Sequence, residues 1–150
     1  MGIYANPGTL YLTVMPEPGD TKDQTMDKFT TYTPFIARLL LAALFLVGGL
    51  SKLADVPGFA GYLAMGGLPG FLAWPAVLFE IAVGVSMIIG FQTRIMALLA
   101  ALFCVVTALL YHFNFADQVQ SIMFLKNLGL AGGFLMVFTH GAGKLAVDKA

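Results

Sequence analysis

Apolar residues run almost without interruption through four stretches of the chain, at about 34–53, 71–91, 95–113 and 121–138. An α-helix rises 1.5 Å per residue, so roughly 20 apolar residues cross the ~30 Å hydrocarbon core of a bilayer. The pattern therefore predicts an all-α integral membrane four-helix bundle. Glycine and proline break residues 54–70, where apolar residues at helical spacing predict a short interfacial helix between spans 1 and 2, ending at Gly66-Gly67.

The regions outside the spans divide the chain further. Residues 1–31 are polar and predict a disordered N-terminal tail, 32–143 form the membrane domain, and 144–150 are a C-terminal tail. Pro34 suits the first turn of a helix, so the first span is expected to begin there. No basic segment precedes an apolar one at the N-terminus, which argues against a secretory signal peptide. Two translation starts, Met1 and Met26, are compatible with the sequence.

Composition supports a membrane protein and excludes other classes. Of the 150 residues, 59% are hydrophobic and 11% charged, whereas a soluble domain has about 25% charged residues. The single cysteine, Cys104, excludes an internal disulfide and a CxxC redox or metal pair. No basic patch supports binding to nucleic acid.

Four spans place both termini on the same side of the membrane. The basic residues expected on that side are Lys22, Lys28, Arg38, Arg94, Lys144 and Lys149. Only Lys52 and Lys126 fall toward the other side. Because cytoplasmic segments carry the excess of lysine and arginine, the N- and C-termini are predicted to be cytoplasmic.

Small or polar residues recur at alternating spacings of three and four in every span. The four stripes are Arg38, Ala42, Phe45, Gly49 and Lys52; Ala73, Ala76, Glu80, Gly84 and Met87; Arg94, Ala97, Ala101, Cys104, Ala108 and Tyr111; and Lys126, Gly129, Gly133 and His140. Small residues allow close packing of helices in lipid, so the stripes are expected to converge in a left-handed bundle.

Glu80 is the one acid in the middle of a span, and it needs a partner. A carboxylate at a helix centre costs about 2.5 to 3.5 kcal/mol even on insertion-based scales. By helical rise, Lys126 lies only ~6 Å shallower than Glu80. We therefore predict a Glu80–Lys126 ion pair, with Asn127 and Tyr111 completing the hydrogen bonds. The spacing leaves open whether this pair is functional or structural.

The remaining polar residues give no catalytic or metal-binding pattern. Arg38, Arg94 and Lys52 lie near span ends, where long side chains reach the headgroups. His112 and His140 end different spans on opposite sides of the membrane, about 30 Å apart, which is too far for them to share a metal. The candidates for a ligand site or buried polar network are Glu80, Lys126, Asn127, Arg94, Arg38, Lys52 and Tyr111.

The chain resembles the DoxX family of small bacterial inner-membrane proteins from about Ala37 to Asp148. The matching segments are RLLLAALFLVGGLSKL, GGLPGF, FEIAVGVSMIIGFQTR, FLKNLGLAGGFL and GAGKLAVD. The resemblance implies a four-span inner-membrane protein, with family members linked to quinone-connected oxidation of sulfur compounds and to respiratory oxidoreductase complexes. It supplies no catalytic residue.

Three functions remain open on the sequence. The chain is interpreted first as a non-catalytic subunit or a quinone- or lipid-binding component associated with respiratory redox chemistry. In that case it has no intrinsic cofactor, quinone is the candidate ligand, and the candidate partners are the bilayer, membrane oxidoreductase subunits and further copies of the chain. The alternatives are a small transporter or proton path gated by Glu80 and Lys126, and a structural or assembly factor for a membrane complex.

Overall fold

The computed structural model describes residues 21–148, which form five α-helices. The helices are α1 (Thr21–Ala54), α2 (Val56–Met65), α3 (Ala73–Ile89), α4 (Thr93–Tyr111) and α5 (Gln118–His140). A short 3-10 turn, Gly70–Leu72, leads into α3. Four segments of the described residues are long and apolar enough to cross a membrane: Met26–Ala54 of α1, Gly70–Ile89, which joins the 3-10 turn to α3, and the helices α4 and α5. This confirms the predicted all-α architecture with a short helix between spans 1 and 2.

The start of α1 differs from the prediction. The helix begins at Thr21, so Pro34 lies inside it, and residues 21–31 are helical where we expected a disordered tail. Proline has no N–H, so the carbonyl of Thr30 loses its helical donor. Membrane helices tolerate such a loss because neighbouring groups compensate for it. Proline was therefore a poor marker of the helix start here. The predicted disorder of residues 1–20 lies outside the described residues.

The four long helices are arranged in a ring in which α1 neighbours α3, α3 neighbours α4, α4 neighbours α5, and α5 returns to α1. The closest pairs are α1 with α3 and α4 with α5. Glycine permits the first of these approaches. A Cβ added at Gly49 would lie 2.9 Å from Ile81 Cγ1, and one added at Gly84 would overlap Leu46.

Large apolar side chains fill the centre of the bundle. Phe134 of α5 is completely buried and meets Phe45 of α1 edge to face, with ring centroids 5.1 Å apart. Phe45 also contacts Phe103 of α4 at a centroid distance of 6.0 Å. Offset and edge-to-face pairs are the favoured arrangements of aromatic rings. These rings connect the α1–α3 pair to the α4–α5 pair.

The predicted inward faces are correct for α1, α3 and most of α4 but wrong for α5. On α5, Lys126, Gly129 and His140 are exposed. The residues that α5 buries are Asn127, Ala131, Phe134 and Val137. Apolar residues are distributed almost evenly around this helix, so its sequence favours no single face. The face that turns inward therefore carries Phe134, whereas Gly129 of the predicted stripe is exposed.

The C-terminal segment 141–148 closes one end of the bundle, which we call the tail end. Its backbone pairs with the α3–α4 turn, where the Val147 amide donates to Ile89 O at 3.1 Å and the Asp148 amide donates to Gly90 O at 2.7 Å. Gly90 has φ of 69°, a left-handed conformation that favours glycine. The opposite end, which carries α2 and the α4–α5 connection, is called the α2 end.

Candidate functional site

A cavity of about 760 Å³ lies at the α2 end, between the α1–α3 and α4–α5 pairs. Leucine, valine and phenylalanine account for half of the residues that line it. Its polar side chains include Lys52, Glu80, Lys126, Asn127, Tyr62 and Tyr111. We call this space the α2-end cavity. A mostly apolar cavity with a few convergent polar groups is the usual form of a small-molecule site.

Glu80 pairs with Lys52, and the predicted pairing with Lys126 is therefore wrong. Lys52 Nζ lies 2.6 Å from both carboxylate oxygens of Glu80. The Glu80 side chain is 5% exposed, whereas that of Lys52 is 32% exposed. Lys52 comes from the end of α1, where its long side chain reaches back along the helix to Glu80. The sequence argument placed Lys52 among the headgroups and so overlooked this nearer partner.

Two features of the α1–α2 region favour this pair. Gly48 lies beside it, since a Cβ added there would be 3.2 Å from Glu80 Oε2 and 3.6 Å from Lys52 Nζ. The Phe59 ring of α2 lies 5.2 Å from Lys52 Nζ, a distance at which an ammonium is attracted to the face of a ring. The ion pair is thus held between α1, α3 and the short helix.

Lys126 and Asn127 of α5 also contribute to the wall of the α2-end cavity, so the structure brings both predicted residues to the site of Glu80. Asn127 is buried, and its amide nitrogen donates to Met123 O at 3.1 Å. Lys126 is exposed, and its Nζ lies 3.3 Å from Met123 Sδ. A thioether sulfur is only a weak acceptor, so this contact does little to compensate the charge of Lys126.

Aromatic residues cover the α2-end cavity. Tyr62 of α2 stacks on Tyr111 of α4, with centroids 4.8 Å apart and planes at 19°. The Tyr111 hydroxyl donates to Leu63 O at 3.2 Å, and a Cβ at Gly66 would overlap the Tyr111 ring. Burial raises the pKa of Tyr62 above its ordinary value. Tyr111 therefore holds α2 over the cavity and does not bond to Glu80 as we predicted.

Arg38 and Arg94, the other predicted site residues, lie at the tail end and contribute nothing to the α2-end cavity. Arg38 is fully buried. Its Nη1 donates to Met87 O at 2.9 Å, and its Nη2 donates to Leu145 O. Arg94 donates from Nη1 to Phe138 O at 3.0 Å and to Thr139 O at 2.9 Å. Cations at helix C-termini satisfy free carbonyls and complement the helix dipole, so both arginines are structural.

Asp148 is a structural residue that the sequence argument missed. Its carboxylate accepts from the amides of Gln92 at 2.8 Å and Thr93 at 2.7 Å, which caps the start of α4. Burial alone would raise the pKa of Asp148, but the amide hydrogen bonds and the charge of Arg38 outweigh it, and the pKa lies below its ordinary value. Caps normally precede their helix in sequence, so a cap supplied from 55 residues away gave no local signal.

The sequence argument also missed Phe59 and Tyr62 as cavity residues. Both belong to the helical spacing that predicted α2, but nothing in that spacing shows what α2 covers. The two histidines are separated as expected: His112 follows α4 at the α2 end and bonds Gln120 at 2.7 Å, while His140 ends α5 at the tail end. Among residues 21–148, no three potential metal ligands lie together.

Comparison with known proteins places the chain in a family. The DoxX family matches residues 33–113. The inner membrane protein YqjF of Escherichia coli (strain K12) is 38% identical over 124 residues, covering 83% of this chain and 95% of that protein. The inner membrane protein YphA of the same strain is 31% identical over 121 residues, covering 76% of this chain and 86% of that protein.

A third relative carries a functional name. The protein named "Putative oxidoreductase CatD" of Bacillus subtilis (strain 168) is 32% identical over 77 residues, covering 51% of this chain and 58% of that protein. No solved structure matches the chain. The family match covers more than half of the chain, and the two Escherichia coli relatives are similar over most of their length. The chain is therefore a multi-pass inner-membrane protein and belongs to the DoxX family.

Proposed function

We propose that this protein is a non-catalytic membrane component that binds a quinone, or a similar lipophilic molecule with an electron-rich oxygen, in association with respiratory redox chemistry. The α2-end cavity is the observation that carries the proposal. Its volume of about 760 Å³ lies in the range of roughly 300–1,000 Å³ typical of small-molecule sites. Most of its lining residues belong to the membrane-spanning helices, so a lipophilic ligand dissolved in the bilayer could reach it.

The residues around the cavity suit such a ligand. Phe59, Phe79 and Phe103 offer aromatic surface for a ring. Lys126 and Asn127 offer donors for carbonyl oxygens from α5, whereas the Lys52–Glu80 pair comes from α1 and α3. A bound quinone supplies two-electron redox chemistry; this chain would hold its ring, bond its oxygens and keep water away. The name of the Bacillus subtilis relative gives weaker support for a redox association.

The proton-path alternative has less support. It requires Lys126 to act beside Glu80 as a gate, but both carboxylate oxygens of Glu80 are bonded to Lys52. The structural alternative, a bundle that only organises partner subunits, is the result if the cavity binds nothing. Binding measurements separate that alternative from the proposal.

A matched pair of alanines on α3 tests the proposal. Ala76 lies in the wall of the α2-end cavity, whereas Ala82 is exposed and lies outside it. Full-length protein in nanodiscs would be titrated with a short-chain ubiquinone, following the quenching of Trp74 fluorescence. We expect saturable binding by the wild type and by Ala82→Phe, and its loss in Ala76→Phe. No binding by the wild type, or equal binding by the two variants, would refute the proposal.

We also propose an orientation, with both termini in the cytoplasm and the α2 end toward the periplasm. The supporting observation is the excess of lysine and arginine on the side of the termini. In a Cys104→Ala background, an impermeant thiol reagent added outside should label cysteines placed at Gly61 or Ala116. It should not label one placed at Gln92, and the reverse pattern would invert the assignment.

A further inference from the structure

The cations of the bundle differ in how their charges are compensated. Arg38 and Arg94 bond backbone carbonyls at the tail end. Lys52 bonds both oxygens of Glu80. These three positive charges therefore have partners, and the Lys52–Glu80 pair contributes no net charge to the α2-end cavity.

Lys126 differs from the other three. In the part of the chain that the structure describes, its Nζ lies within salt-bridge distance of no acid, and its recorded contact is the thioether of Met123. It is part of the cavity wall, about 12 Å of helical rise from the start of α5 at Gln118. A charge at membrane depth is costly and normally has a partner. Lys126 is exposed on α5 and is also one of the residues that line the cavity, so the wall of the α2-end cavity carries one positive charge with no acid within salt-bridge distance among the described residues.

We infer that the cavity selects the ionised form of an acidic quinone-like ligand, one whose ring bears an enolate oxygen next to a carbonyl, and that Lys126 supplies the counter-charge. This inference rests on the proposed function, because it specifies the chemistry of the ligand in the same cavity. Opposite charges attract more strongly where water is excluded than in bulk solvent. A neutral quinone of the same size gains no such attraction and binds more weakly.

Two synthetic naphthoquinones that differ in one group test the inference. One carries a 2-hydroxyl, which is ionised at neutral pH, and the other a 2-methoxyl, which is neutral; both have the same 3-alkyl chain. Binding of each to full-length protein in nanodiscs would be measured at neutral pH. We expect the wild type to bind the hydroxy compound about tenfold more tightly, a difference of about 1.4 kcal/mol.

Lys126→Met should reduce this preference to less than about twofold, because it lowers the affinity for the hydroxy compound much more than the affinity for the methoxy compound, which loses only a carbonyl donor. Saturable binding of the methoxy compound by the variant shows that it is folded. Lys126→Arg should keep the preference because it keeps the charge. Lys144→Met removes an exposed lysine from the tail end and should change neither affinity. Lowering the pH until the hydroxyl is protonated should remove the preference in the wild type.

The outcomes distinguish this inference from the proposed function. If the wild type binds both compounds equally, or if Lys126→Met keeps the preference, the inference is wrong although the cavity still binds quinones. If the wild type binds neither compound, the proposed function fails and the inference fails with it.

Discussion

The two ends of the bundle use buried charge in different ways. At the tail end, Arg38, Arg94 and Asp148 all bond backbone amides or carbonyls of helix ends and of the 141–148 segment. At the α2 end, two charged side chains, Lys52 and Glu80, bond each other beside the cavity. Lys126, which has no acidic partner among the described residues, also lines that cavity. Charges that bond the backbone hold elements in place, whereas charges that face a cavity remain available to a ligand.

This contrast gives a rule for interpreting polar residues in small membrane bundles. The sequence argument named all the cations of the spans as candidates for a ligand site or polar network, yet it assigned Arg38, Arg94 and Lys52 to the lipid headgroups and paired only Lys126 with Glu80. The structure separates them by the group that each one bonds. Stability should therefore depend mainly on tail-end residues and on helix packing, and ligand binding on residues of the α2 end.

The largest predicted effect is at Arg38. Replacing it with leucine leaves the carbonyls of Met87 and Leu145 without their charged donor. Hydrogen bonds to charged groups are worth about 1.5–3 kcal/mol each, so we expect a loss of about 4 kcal/mol. Unfolding by SDS titration in mixed micelles measures this loss. Lys144→Gln, an exposed change at the same end, should be close to neutral, and similar losses for both variants would contradict the structural role of Arg38.

The next largest loss of stability is expected where two helices pack closely. Gly84→Ala places a methyl group against Leu46 of α1, where it would overlap the side chain, whereas Gly129→Ala adds one where no atom lies within 4 Å. Overpacking costs about 1–3 kcal/mol, so Gly84→Ala should unfold at a lower SDS fraction. Gly129→Ala should be neutral or slightly stabilising. If Gly129→Ala were the more damaging change, the α5 face that we describe as outward would have to face inward.

Breaking the Lys52–Glu80 pair should lower the stability less than the changes above, and the loss should depend on which of the two residues is replaced. Lys52→Met strands a nearly buried carboxylate, while Glu80→Gln leaves a lysine that can reach water. Because Lys52 is partly exposed, we expect about 1–2 kcal/mol for Lys52→Met and less for Glu80→Gln. A double-mutant cycle should show coupling between these two changes. The cycle of Glu80→Gln with Lys126→Met serves as the control and should be nearly additive, whereas strong coupling there would restore the Glu80–Lys126 pairing.

The smallest effect is the pH dependence at Asp148. Its pKa in the folded protein lies below the ordinary carboxyl value, so its stabilising contribution is complete above about pH 3.9 and disappears as the pH falls through the lower folded pKa. Asp148→Asn should therefore lower Tm at pH 7, and the difference from wild type should shrink as the pH approaches 3. A difference that stays constant with pH would show that the carboxylate charge is not responsible.

Much of the fold follows from the sequence, and the reasons are physical. Uninterrupted apolar segments determine the spans, and Gly66 ends α2 where expected. The partner of Glu80 could not be derived, since Lys52 and Lys126 both lie within reach along the helix axis. Only the rotation of α5 about its axis distinguishes them. The sequence does not predict that rotation, because apolar residues are spread evenly around the helix. The bond from Arg38 to Leu145 joins residues 107 positions apart and has no local pattern.

Ligand-induced stabilisation tests most directly whether ligand binding belongs to one end of the bundle. A ligand that binds only the folded protein raises Tm with its concentration. With a short-chain quinone added to nanodiscs, we predict a rise in Tm for the wild type and an equal rise for Asp148→Asn, which starts from a lower Tm. Ala76→Phe should show no rise. A rise that persists in Ala76→Phe, or one that disappears in Asp148→Asn, would contradict the assignment of binding to the α2 end.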